Sequence, residues 1–397
     1  MNIIVVLYLF LSFFTLLWPV ILFLCKKHVL PCQWNYIFTQ LILSATFFLY
    51  TTFFIPSLER EYVLCYMFTT ISMFCAPMYY LFVVSMTSME GITKKHRRVF
   101  VVPILFSCVI LVLGLMLHAS GYKMFFTNVF HEGNLSFIDG NLPYNLMVVC
   151  GYYLFAILLL CSALVIVVVS FVKVVRHHRT LKEYYASYVR LQRRNNTVIA
   201  IVTGIVVLSA VFVVWKSVNA SPSIALVTVF VLMVSAMEFM LGYYSYHISY
   251  SANELAEMVR VADENRQIEM DFSTISLKQR IDEIVDGETY YLNPEANVIS
   301  LAERLHVETS AIIDTLHREY DCSFADYVNG FRINHATELI LAHTNSQSKE
   351  MNTHRRVGEK VFVEKVYKAS GFNNIVDFKK AFVEVMRVSF TTWMKQW

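Results

Sequence analysis

Along the first 250 positions apolar residues come in long runs. Seven of these, roughly 3–25, 34–55, 63–86, 99–119, 145–172, 197–215 and 223–246, have the length of a membrane-crossing helix. About 20 helical residues cover the ~30 Å hydrocarbon core of a bilayer. Pro19, Pro77 and Pro103 fall within or near run ends and are candidate kink sites. From about residue 251 the pattern changes. Charged positions recur every few residues, and apolar ones return at helical spacing. Residues 251–289 read as a charged, helical, juxtamembrane linker. Leu255, Val259, Ala262 and Ile268 make at best two heptads, short of a coiled coil. Residues 290–397 read as a compact helical domain. The predicted fold class is therefore all-α, with a seven-span transmembrane domain (1–250), a linker (251–289) and a cytoplasmic helical domain (290–397).

Charge orients this arrangement. The stretches after runs 1, 3 and 5 carry 13 Lys and Arg, and those after runs 2, 4 and 6 carry 3. Basic loops stay in the cytoplasm, which puts the N-terminus outside and everything after Tyr246 inside. The aromatics Tyr243, Tyr244, Tyr246 and Tyr250 at the inner end of the last run fit an interfacial belt. With 56% hydrophobic and 16% charged residues, a disordered chain is excluded, and the 397-residue length excludes a small disulfide scaffold. Seven of the eight cysteines lie in or beside the apolar runs. There is no CxxC pair and no zinc-type His/Cys spacing, so they read as packing residues, and neither metal nor cofactor is expected. The N-terminus lacks the basic flank of a secretory signal. Glu238 is the one carboxylate well inside a run. Intramembrane acids are costly unless paired or protonated, which makes Glu238 the signal-sensing candidate; a protonated Glu bonded to a neighbouring helix is the plainer alternative. The outer loop 120–144 is rich in aromatics (Tyr122, Phe125, Phe126, Phe130, His131, Phe137, Tyr144), either as a ligand-facing lid or as a loop tucked against the membrane.

In the C-terminal domain, Ser300 and Glu303 have capping-box spacing and predict a helix start, with the helix ending near His306. A second helix is predicted over about 309–320, with Ile312 and Leu316 inward. A long amphipathic helix follows over 323–340, with Tyr327, Phe331 and Leu339 inward. A further pair is predicted around 360–369 and 374–385. Ser370-Gly371-Phe372 forms its turn, where Gly371 suits a positive φ. Two helix-turn-helix units on one connecting helix suit DNA, one helix of each bracing and the other entering the major groove.

Particular residues sharpen this. Leu301-Ala302 and Leu305 lie in the first bracing helix. Ser323-Phe324, Tyr327-Val328-Asn329, Arg332-Ile333 and Ala336 lie on the connecting helix. Gly371-Phe372, Phe378 and Ala381-Phe382 lie in the second unit. On these residues the stretch 290–397 resembles the DNA-binding domain of the AraC/XylS family of bacterial transcription regulators, and the whole arrangement resembles its membrane-tethered members. The positions where the family carries a Gly and then a Pro are Arg387 and Phe390 here. The segment 345–358 is about a dozen residues longer than usual, and Asp314 stands where a basic residue is common.

The resemblance implies double-stranded DNA as partner. Residues 290–345 carry 3 basic and 8 acidic side chains, and 346–397 carry 10 and 5. Phosphate attracts the second set and is repelled by the first. The main contact is therefore assigned to Asn373, Asn374, Lys379 and Lys380, with Arg355 and Arg356 reaching phosphates from the inserted loop. Ser310, His317 and Arg318 are the first unit's donors. The reading is a membrane-bound transcription regulator of the cell inner (cytoplasmic) membrane, in contact with lipid, with a homodimer and an unidentified small ligand left open. No catalytic triad, metal box or phosphate loop points to an enzyme. The rival is a seven-span receptor or transporter-like protein whose degenerate helix-turn-helix tail is a protein-interaction module.

Overall fold

The structure is a computed structural model and describes residues 3–52, 61–89, 91–126, 128–129, 136–138, 140–218, 224–248, 252–266, 276–347 and 355–395. Among these residues the fold is helical, with one isolated antiparallel bridge between Tyr185 and Asn297. The chain divides into two compact units, one of residues 1–174 with 196–254 and the other of residues 175–195 with 255–397.

The first unit contains α1 (Ile3–Cys25), α2 (Pro31–Thr52), α3 (Glu61–Ser72), α4 (Cys75–Thr87), the short α5 (Lys94–Arg97), α6 (Val101–Phe126) and α7 (Leu142–Val148). It also holds most of α8 (Phe155–Tyr184) and α9 (Val189–Val218), and α10 (Ile224–Tyr246). Among the described residues six stretches are long and apolar enough to cross a membrane: Ile3–Cys25, Tyr66–Thr87, Lys94–Leu117, Leu142–Tyr184, Val189–Phe212 and Ile224–Tyr246. Their outward faces are apolar; Phe13, Phe23, Leu115, Phe171 and Leu232 are all exposed. That much outward apolar surface suits lipid, not water. The predicted second run forms α2, a 22-residue helix that is not among the six. Its polar residues Gln33, Thr39, Gln40 and Ser44 are buried, on the side that meets α1, α4 and α10.

Proline shapes the third run. The ring of Pro77 crowds the carbonyl four residues earlier, at Met73, and the helix breaks there into α3 and α4. Pro19 sits inside a continuous α1. A core of Tyr36, Phe82, Val202 and Leu241 ties α2, α4, α9 and α10 together. Of the outer-loop aromatics, Phe125 and Tyr144 are buried and Phe137 is exposed. The side chains of Tyr122 and Phe126, and Phe130 and His131 entirely, lie outside the described residues, as do Asn134 and Leu135 of Asn134-Leu135-Ser136, a tripeptide that matches the glycosylation pattern.

The second unit contains α11 (Ala252–Arg266), α12 (Leu277–Asp282), α13 (Val298–Leu305), α14 (Thr309–Tyr320), α15 (Phe324–Gln347), α16 (Arg355–Ala369), α17 (Ile375–Met386) and α18 (Phe390–Trp393). Two small cores form on one long helix. The N-terminal part of α15 supplies Phe324 and Val328 to a cluster with Leu301, Leu305, Ile312 and Leu316. Its later residues Ile333, Ala336 and Ile340 join Phe372, Phe378, Phe382 and Trp393. The α13 start differs from the sequence expectation. Asn297, not Ser300, is the N-cap, accepting the Ser300 amide at 3.0 Å. Starting earlier lets Val298 join Leu301, Ala302 and Leu305 on the buried face, and frees the Ser300 hydroxyl to meet the Tyr290 hydroxyl at 2.6 Å.

Gly371 takes φ +80, and a Cβ there would stand 2.7 Å from the Tyr291 carbonyl oxygen, so the turn between α16 and α17 requires glycine on two counts.

Candidate nucleic-acid interface and intramembrane acid

α13 and α14 are joined by a turn at His306–Glu308, and α16 and α17 by one at Ser370–Asn374. The inward residues of α14 are Thr309, Ile312, Thr315 and Leu316. Its solvent face therefore carries Ser310, Asp314, His317 and Arg318, all exposed. Ser310 donates to Glu308 at 3.2 Å, and Arg318 pairs with Glu319 at 2.9 Å. His317 meets the Glu183 carboxylate at 3.1 Å.

On α17 the inward residues are Asp377, Phe378, Ala381 and Phe382. Asn374 is the N-cap, accepting the amides of Val376 and Asp377 at 3.0 and 2.9 Å and donating to the Asp377 carboxylate at 2.8 Å. That occupies its amide as a helix cap. Asn373 is exposed and reaches the Pro294 carbonyl at 3.3 Å. Lys379 is exposed. Lys380 is half-buried: its ammonium donates to Gln192 Oε1 at 3.2 Å and lies 4.5 Å from the Tyr188 ring centroid. Burial, with Lys182 nearby, holds its pKa below the usual lysine value, against the pull of Glu384 and Asp377.

Arg355 and Arg356 open α16 instead of standing on a loop, because the helix begins within the inserted segment; their side chains lie outside the described residues.

Beneath these faces lies a fully buried arginine. Arg332 on α15 donates from Nε to the Tyr291 carbonyl and from NH2 to the Asn293 carbonyl, both at 2.7 Å, and from NH1 to the Ser187 hydroxyl at 3.1 Å. Burial pulls its pKa down to about 10, partly opposed by Asp377 and Tyr290, so it stays charged at neutral pH. Asp377 is pushed up by burial, while Asn374, the amides of Arg190 and Val189, and Arg332 favour its charged form.

Glu238, on α10, is buried. It accepts Gln40 Nε2 from α2 at 2.7 Å and the Tyr79 hydroxyl from α4 at 2.5 Å. Three helices thus meet at one carboxyl. The Gln40 carbonyl oxygen and the Ser235 hydroxyl, also buried, have no partner among the described residues.

Sequence reasoning missed two groups. The first is the turn between α8 and α9, whose Glu183, Tyr188 and Gln192 touch the candidate residues. Its signal was Tyr184, Tyr185 and Tyr188, more aromatic surface than a solvated basic loop needs. The second is Asp263 on α11, which accepts both the amide and the hydroxyl of Thr309 at 3.0 Å, at the start of α14. Among the described residues no cluster of His, Cys, Asp or Glu could hold a metal ion. Set against known proteins, the chain matches no protein family, no curated protein and no solved structure.

Proposed function

We propose that the protein is a membrane-bound transcription regulator that binds promoter DNA through residues 290–397. The observation that carries this reading is that two pairs of short helices, α13 with α14 and α16 with α17, each share a core with one 24-residue helix, α15, which we read as two helix-turn-helix units. The AraC/XylS resemblance gains from local geometry at its two departures. Arg387 has φ +59, the left-handed conformation in which the family's glycine is at ease. Phe390 is the first residue of α18, where a proline is well tolerated. Both positions keep the backbone role without the usual residue.

In this reading α2 is the seventh span. Its polar side chains are buried among neighbouring helices, where a bilayer would not meet them. The basic loops then put the N-terminus outside and the DNA-binding part in the cytoplasm of a bacterial inner membrane. Glu238 is the signal candidate. A change of protonation or ligation at a carboxyl shared by α2, α4 and α10 alters the packing of α10, which leads in sequence into α11 and Asp263.

The test is duplex binding by the full-length protein in lipid nanodiscs. Lys379→Ala with Lys380→Ala should weaken affinity and lower the salt dependence by up to about two phosphate-equivalents. Unchanged affinity in this variant, with the fold intact, removes α17 as the contact. A second reading, a tail that binds protein, is favoured by the acidic first unit and by Asp314 on the exposed face of α14. It predicts no salt-dependent duplex binding at all.

A further inference from the structure

Residues 182–192 are the end of α8, the connecting turn 185–188 and the start of α9, and they belong to the same compact unit as residues 255–397. A solvated loop would not bury Ala186 and Tyr188 at 2% and 1% exposure. The turn is seated by backbone and side chain alike. The Ala186 amide donates to the Ala296 carbonyl at 3.2 Å, and Asn329 of α15 donates to the Ala186 carbonyl at 3.1 Å. Lys182 bridges Asp326 at 3.1 Å and Glu384 at 3.5 Å.

Further contacts fall on the second helix of both helix pairs. On α14, Glu183 meets His317 at 3.1 Å. On α17, Gln192 accepts from Lys380 at 3.2 Å, the Tyr188 ring lies under the same ammonium, and the Tyr188 hydroxyl donates to Glu384 at 3.2 Å. Asp377, Lys380 and Glu384, spaced three and four apart, form one stripe of α17, and the turn lies along it. Two of the nine residues assigned to DNA, His317 and Lys380, are therefore engaged by this junction.

We propose that the 182–192 turn and duplex DNA compete for this surface, so that the docked turn holds the protein in a low-affinity state and its release exposes the high-affinity one. This rests on the DNA-binding reading above. The contact with the Tyr188 ring and the bond to Gln192 hold the Lys380 ammonium along the turn, so a phosphate must compete with both for it. Glu183 places a carboxylate at His317, which repels phosphate from the first unit. The turn is covalently continuous with α8 and α9, so a shift of either helix along its axis pulls directly on it.

The experiment compares the full-length protein in lipid nanodiscs with its Lys182→Ala, Gln192→Ala variant. The probe is a fluorescent duplex from the region immediately upstream of its own coding sequence. The variant removes the bonds to Asp326, Glu384 and Lys380 but leaves Ala186 and Tyr188 seated. It should bind at least about fivefold more tightly than the parent, within the usual range of coupling between sites. Equal or weaker binding by the folded variant overturns the competition and leaves the DNA-binding reading standing. No binding by either protein overturns that reading itself. Should the variant fail to fold, hydrogen exchange on the parent decides: duplex must speed exchange at the amides of residues 185–192, and unchanged or slower exchange contradicts the proposal.

Discussion

Arg387 closes α17 with φ +59, its amide donating to the Val383 carbonyl at 3.0 Å. A side chain in this conformation costs about 1–2 kcal/mol relative to the ordinary helical region, because Cβ crowds the following carbonyl. Glycine has no Cβ, so Arg387→Gly should stabilise the folded state, by about 0.5–1 kcal/mol once its greater freedom in the unfolded chain is counted. Hydrogen exchange at the amides of α17 would measure it, and a destabilised variant would mean that the Arg387 side chain has a role beyond closing the helix. His306 and Asp321 close α13 and α14 in the same left-handed way, so three helices of this unit end alike without glycine. Arg332 makes the opposite point. It stays charged although buried, because its three donor nitrogens each find an oxygen.

At the scale of elements, periodic segments were legible and their distant partners were not. The 309–320 helix is predicted with the bounds that α14 has, since Ile312 and Leu316 mark a single apolar face. Gly371 could be read as a turn because a positive φ leaves a residue-type signature. The first helix start was misplaced at Ser300 because its capping-box spacing was met, while the true cap, Asn297, needed knowledge that Val298 is buried. α2 was legible as the apolar run 34–55, but the enclosure of Gln33 and Gln40 was not, since polar side chains carry no mark of the helices that cover them. The seating of the 182–192 turn left only an excess of tyrosines. α11 shows a further long-range dependence. Glu308 precedes α14 without capping it, and Asp263 supplies the acceptor instead. Asp263→Ala should therefore destabilise α14 by about 1 kcal/mol, as loss of a helix cap does. Faster hydrogen exchange at the first amides of α14, with α17 unchanged, is the expected outcome; equal protection would show that solvent caps this helix as well.

At the scale of the whole molecule, the described residues combine six helices fit to cross a membrane, a buried carboxyl shared by three helices, and a second unit whose two cores sit on one helix. The chain passes from one unit to the other within α8, α9 and α11. The central claim is that this membrane protein holds DNA in the cell. Crosslinking in living cells, recovery of the full-length protein from the membrane fraction and sequencing of the attached DNA test it most directly. The account predicts a small set of discrete upstream sites, lost in Lys379→Ala with Lys380→Ala and retained, at altered occupancy, in Glu238→Gln. Recovery of no enriched DNA from a correctly folded, membrane-inserted protein would contradict it.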